Sequence, residues 1–358
     1  MIGTSTSEYL FIQACIYFLH YIAPLSAFYC IIFFALHPWG YRIPIWLEVW
    51  AVAETAFLLL LYFPRKVIIQ RAAFHPEALP RDKRKGLFQL CLHTVKDPEH
   101  YLKYWFREAS LSDIKRENVK GKFLAYFALR LLTGLELFCW AFLNKATWGP
   151  EDNDELEDYA DKTESLLGRK LEPGRGKAVS LRITVDEVRT MYRSLFWYLL
   201  CGPMVLIDPV SILLHLPDVA YNFTCRKPRR ANEHQLYYFA SMDQGVAHTL
   251  GRTFFWSQNC LWKKDLKDHR VTVSLAGKDL IVDTEAVGSY LAQNGDSEPV
   301  AEEWKHREWK GKGLDILWFD DLDHAQVFDS PRNCEILAKV VRSYSIKEPP
   351  TTAYGAIG

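Results

Sequence analysis

The sequence predicts a mixed architecture: two N-terminal transmembrane helices, a helical and linker region, and part of a parallel α/β unit at the C-terminus. Three observations predict it. Residues 1–63 carry only four charged side chains (Glu8, Arg42, Glu48 and Glu54), although the whole chain balances 43 Lys and Arg against 43 Asp and Glu over 358 residues. Residues 151–164 contain eight acidic residues and one lysine. Beyond residue 200, short apolar runs bounded by Pro, Gly and Asp alternate with helical patterns, as in βαβ units. A net charge of zero argues against wholesale nucleic-acid binding, which calls for a basic surplus.

Leu10 to Leu36 is an apolar run of 27 residues, interrupted only by Gln13, His20, Pro24 and Ser26. About 20 apolar residues cross a bilayer, so this run can span with tilt. It lacks a basic leader and is too long for a signal peptide, so it reads as a retained anchor. The polar break His37–Arg42 precedes a second run, Ile43 to Phe63. Trp39, Tyr41 and Trp46 fall where an interfacial aromatic belt lies. Glu54, near the middle of the second run, must face the partner helix or be protonated. The basic residues that follow (Arg65, Lys66, Arg71, Arg81, Lys83, Arg84 and Lys85) place that side in the cytosol. The expected partner of residues 1–64 is therefore the lipid bilayer. With the rest of the chain cytosolic, the sequon Asn222-Phe223-Thr224 is expected to stay unmodified.

Residues 65–200 read as a membrane-proximal helical region. Phe123–Leu143 is rich in Leu and Phe, but Arg130 and Glu136 nearly offset its insertion energy, so a buried or interfacial helix is preferred to a third span. The acidic stretch, extended through Pro173-Gly174-Arg175-Gly176-Lys177 to about 178, reads as a solvated linker. No GxxxxGK[ST] phosphate loop is present, and no cofactor or metal is implied. The eight cysteines show no CxxC spacing and no disulfide framework, as expected of free thiols in a reducing compartment.

In the last third, Met204–Ile207 is a wholly apolar run between Pro203 and Asp208-Pro209, as expected of a buried parallel strand. Val271–Leu275 is a second strand, followed by Ala276-Gly277-Lys278-Asp279, with Asp283 capping a helix to about Ala292. Leu314–Phe319 is a third, leading into Asp320-Asp321-Leu322-Asp323-His324. Ser330-Pro331 starts a last helix, with Ile336, Leu337, Val340 and Val341 on its apolar face.

Strand, Asp, helix, strand, His and helix in that order are the closing half of an α/β-hydrolase. The segments Leu206-Ile207-Asp208-Pro209-Val210, Val273–Val282 and Asp323-His324-Ala325-Gln326-Val327-Phe328 resemble the C-terminal part of fungal membrane-anchored proteins of the α/β-hydrolase family. The likeness covers roughly residues 202–346 and includes a similar hydrophobic N-terminal region. It implies the C-terminal part of a hydrolase domain, with its cap, at 201–346; residues 347–358 are expected to form a disordered tail. It also implies Asp279 as the triad acid and His324 as the general base, acting on an ester or lipid-like small molecule. The alternatives are Asp283 as the acid, and a loop His324 paired with Asp320, Asp321 or Asp323. The aromatic stretch Asn222–Trp262 would form the cap over the site.

A serine hydrolase of this fold also needs a G-x-S-x-G elbow, and no such pentapeptide occurs. No His-Gly oxyanion loop follows an early strand. Ser194, Ser211 and Cys201 stand in the wrong contexts to replace the nucleophile. Leu195–Leu200 runs straight towards Met204, so the segment carrying the first strands and the elbow is expected to have been lost between about Leu199 and Gly202. The expectation is a hydrolase-like chain without hydrolase activity. The alternative is a non-catalytic, membrane-tethered binding protein. An incomplete parallel sheet exposes a strand edge, so residues 202–358 alone should be poorly soluble.

Overall fold

The structure is a computed structural model. It describes residues 3–36, 44–69, 81–120, 150–174, 176–178, 203–250, 254, 256–267, 269–293 and 302–345. The possible third span, the chain between 179 and 202 where a segment is expected to be missing, and the 347–358 tail lie outside these residues.

The N-terminus is a helical hairpin. Helix α1 (Thr6–Leu36) packs against α2 (Ile45–Phe57), which continues through a π-helical turn (Leu58–Tyr62) into α3 (Phe63–Ile69). In the π turn the Leu58 carbonyl accepts from the Phe63 amide, one residue wider than an α-turn, and Pro64, which has no N–H to give Leu60, follows at once. The stretches Thr6–Phe33 and Ile45–Arg65 are long and apolar enough to cross a membrane. Most of their large side chains face outward, an arrangement suited to lipid. Between the helices, Tyr29 donates to Glu48 (3.2 Å), and Phe18 stacks on Trp50 at 6.4 Å.

The middle region departs from the expected linker. Pro150–Leu167 is an 18-residue helix, α6, with Tyr159 and Ala160 fully buried. It lies against α4 (Arg81–Leu92), where the Phe88 and Tyr159 rings meet at 4.1 Å. Its acidic residues are matched by cations from upstream. Arg84 reaches the buried Glu155 (Nε to Oε1, 2.9 Å), Arg116 reaches Glu157, Asp161 and Glu164, and Lys120 pairs with Glu157. Acidic residues in the first turn also suit the helix dipole. An eight-acid run read alone looks solvated. With these partners it becomes a docked helix.

The C-terminal part holds a three-stranded parallel sheet, ordered β1 (Met204–Ile207), β2 (Val271–Ala276) and β3 (Leu314–Phe319). These are the three runs expected from the sequence, with β2 one residue longer. Alternation divides β2 between two faces. Val271, Val273 and Leu275 enter a core with Ile212, Leu213, Leu261, Val287 and Trp304. Thr272 faces the other way, meeting Tyr344 of the last helix (2.6 Å) and the Trp309 indole N–H (2.9 Å). Helix α12 (Thr284–Ala292) starts where expected, with Asp283 accepting from the Ala286 amide, and Pro331–Ser345 forms the last helix, α13.

Between β1 and β2 come helices α7 (Pro217–Thr224), α8 (Ala231–Leu236) and α9 (Gln244–His248), then the single turns α10 (Trp256–Asn259) and α11 (Lys263–Leu266). Helix α5 (Pro98–Trp105) joins the middle region to this part. Tyr101 enters the sheet core, Tyr104 packs on Tyr221 at 4.4 Å, and His100 pairs with Asp218 at 2.9 Å. The sequon residue Asn222 has a structural role, as its amide donates to the Ile281 carbonyl (3.1 Å).

Candidate functional site

The carboxyl ends of β2 and β3 lie side by side, with Ala276 opposite Phe319. The chain leaves both in the same direction, so residues 45 apart in sequence meet: the His324 Nδ1 lies 2.8 Å from Asp279 Oδ2. The Asp279 side chain is fully buried, whereas that of His324 keeps 23 % of its exposure. Asp279 is fixed from behind, its Oδ1 accepting from the Ile281 and Val282 amides (2.7 and 2.9 Å). The closeness of the two loops depends on Gly277. A methyl group there would lie 2.5 Å from the Asp320 carbonyl oxygen, and the Gly277 amide itself donates to Phe319 (2.8 Å).

The rival acids have other partners. Asp283 caps α12. Asp320 accepts from the Trp318 indole (2.7 Å) and Asp321 pairs with Lys278 (2.6 Å). Asp323 accepts at Oδ1 from the Leu280 and His324 amides (2.9 and 2.7 Å) and at Oδ2 from the Asn232 side chain (2.8 Å). Of Asp279, Asp283, Asp320, Asp321 and Asp323, Asp279 is the one hydrogen-bonded to the His324 ring.

Asp208, in the segment Leu206–Val210, also has a role at this site. It ends β1 in the left-handed region (φ +41°), a conformation Asp tolerates better than most residues. Its Oδ1 accepts from the Ala276 amide and its Oδ2 from the Ala325 amide, both at 2.8 Å. One buried carboxylate at the end of β1 thus ties the end of β2 to the loop that carries His324. The only local signal was an Asp-Pro step closing an apolar run. Asn232 carried no signal, because its partner is distant in sequence.

Burial opposes charge on the His324 ring. The Asp279 hydrogen bond and charge, helped by Asp208 and Asp323, outweigh it and raise the ring above its ordinary value. Asp208 is also raised, by burial first and with the Asp279 charge adding, against the lowering effect of its two amide donors. Asp208, Asp279 and His324 offer atoms within 4.8 Å of one another, close enough to hold a cation. All four carboxylate oxygens are already engaged, three with backbone amides alone and one with the ring. Hydrogen bonding accounts for the trio, and no metal is assigned to it.

The Nε2 of His324 meets no hydrogen-bond partner among the described residues, so no serine, threonine or cysteine there is bonded to it. A second His–Cys contact exists elsewhere. His215 Nδ1 faces Cys260 Sγ at 3.7 Å, its Nε2 faces the Thr94 hydroxyl, and its ring stacks on Trp262. Burial pushes His215 down to about 3 and Cys260 up to about 12. A reactive cysteine needs the opposite shifts, so this pair is inert core.

No protein-family model, curated protein or solved structure matches the chain. A functional reading therefore rests on the residues and their geometry.

Proposed function

We propose that this chain is a membrane-anchored protein of α/β-hydrolase type that keeps the acid and base of a Ser-Asp-His triad and lacks its nucleophile. The observation that carries this reading is the 2.8 Å contact between His324 Nδ1 and a fully buried Asp279 oxygen, with Nε2 left unbonded among the described residues. In such a triad the acid fixes the imidazole with its proton on Nδ1. The base can then take a hydroxyl proton at Nε2 and return it to the leaving group. The parent reaction is hydrolysis of an ester or similar acyl bond, with a lipid-like substrate as the class suggested by the hairpin. The hairpin anchors the protein in a bilayer, and the basic run after it places the dyad on the cytosolic side.

The sequence has no G-x-S-x-G elbow, and among the described residues no hydroxyl is bonded to Nε2. The chain is accordingly expected not to hydrolyse esters. The second reading, a membrane-tethered binding protein built on a hydrolase remnant, is favoured by the same missing nucleophile. A serine-directed fluorophosphonate probe tests the assignment on the full chain in detergent. No covalent labelling is expected, and labelling that disappears after heat denaturation would refute the inactivity claim.

A further inference from the structure

The helices between β1 and β2 touch the N-terminal hairpin at both points where it would leave a membrane. Helix α8 packs on the start of α1. There the Tyr9 ring meets His234 edge-on at 5.5 Å, and Ile12, three residues further along the same face, is 4 % exposed while Leu10 beside it is 64 % exposed. Helix α9 packs on α3, with the Arg65 guanidinium so close to Gly245 that an added methyl would lie 2.6 Å from Nη2. Tyr9 lies in the first turn of the first span-length stretch, and Arg65 is the last residue of the second. A segment held by both lies where the apolar stretches end.

That segment has an interfacial composition. Between α8 and α9 runs the π turn Tyr237–Ser241, followed by Met242. Phe239 and Met242 are 48 % and 57 % exposed, and Tyr238 stands edge-on to Phe239 at 5.1 Å. Just before α8, Lys227, Arg229 and Arg230 are exposed in the run Arg226-Lys227-Pro228-Arg229-Arg230. Exposed apolar side chains flanked by cations, beside a membrane hairpin, suit a surface of apolar tails and anionic headgroups.

We propose that Tyr237–Met242 is a third membrane-contacting element. Phe239 and Met242 insert at the boundary of the bilayer that holds the hairpin, and Lys227, Arg229 and Arg230 meet its anionic headgroups. This rests on the reading of residues 1–64 as a spanning hairpin. Its consequence reaches the dyad, because Asn232 on α8 holds Asp323, the residue before His324.

The full chain would be reconstituted in vesicles of phosphatidylcholine and phosphatidylserine carrying labelled lipid. Benzoylphenylalanine would replace, one at a time, Phe57 in the second span, Phe239, Met242, and the exposed Val341 on α13. Lipid adducts at 57, 239 and 242, absent at 341, are the expected result. Replacing Lys227, Arg229 and Arg230 together by Ala should lower the yield at 239 and 242 at least threefold and leave that at 57 unchanged. Adducts at 57 without any at 239 and 242 would overturn the proposal while leaving the hairpin reading intact, and adducts at all four positions would overturn its selectivity. No adduct at 57 would overturn the hairpin reading and this proposal with it.

Discussion

The side-chain amide of Asn232, on α8, donates to the Asp323 carboxylate at 2.8 Å across 91 residues of chain. Asp323 also accepts from the His324 and Leu280 amides. A helix outside the sheet is thus fastened to the two loops that carry the acid and the base. In Asn232→Ala a buried carboxylate oxygen loses its donor, at an expected cost of about 1–3 kcal/mol. Thermal unfolding in detergent checks it, and an unchanged midpoint would show that the contact contributes nothing net.

The raised His324 ring makes a pH prediction whose sign is fixed. Its folded value lies above its unfolded one, so the associated stability is fully present below the unfolded value of about 6.5 and is lost as pH rises through the folded value. Asp279→Asn removes the main group raising the ring and leaves burial, which lowers it. Ring NMR of selectively labelled histidines should show His324 titrating at lower pH in the variant. The stability gap between wild type and variant should narrow as pH rises above 6.5. Equal titration midpoints would contradict the pairing.

Gly277→Ala tests the close approach of the two loops. Its methyl would collide with the Asp320 backbone, which cannot swing away as a side-chain tip can. A loss of about 1–3 kcal/mol is expected from overpacking. The His324 ring signal should shift as well, because the loop that moves carries the base. Destabilisation with an unchanged ring signal would confine the effect to packing.

His215 carries the opposite pH dependence. Burial holds it down to about 3, below its unfolded value, so the unfolded chain takes up a proton that the folded chain refuses. Its contribution is present above about pH 6.5 and is lost as pH falls towards 3, by up to about 1.4 kcal/mol per pH unit. In His215→Phe that share of the acid loss should vanish between pH 6.5 and 4.5. Identical slopes in the two proteins would show that the ring is protonated when folded.

Elements with short-range causes are legible in the order of residues alone. Met204–Ile207 and Leu314–Phe319 are strands because their apolar runs are bounded by chain breakers. Asp283 and Ser330-Pro331 start helices because capping is local. The hairpin is legible because length and apolarity suffice. The tertiary structure decided what depends on distant partners. It paired His324 with Asp279 in place of Asp320, Asp321 or Asp323, since the parallel pairing of β2 and β3 brings their following loops, 45 residues apart, together. It made residues 150–167 a docked helix, because Arg84, Phe88 and Arg116 supply charge and apolar contacts that no window of 14 acidic-rich residues contains. It gave Asp208 its hold on two neighbouring loops and Asn232 its grip on Asp323. Periodicity and capping act over a few residues. A buried carboxylate is satisfied by whichever donors chain closure brings within 3 Å, and those are set by topology.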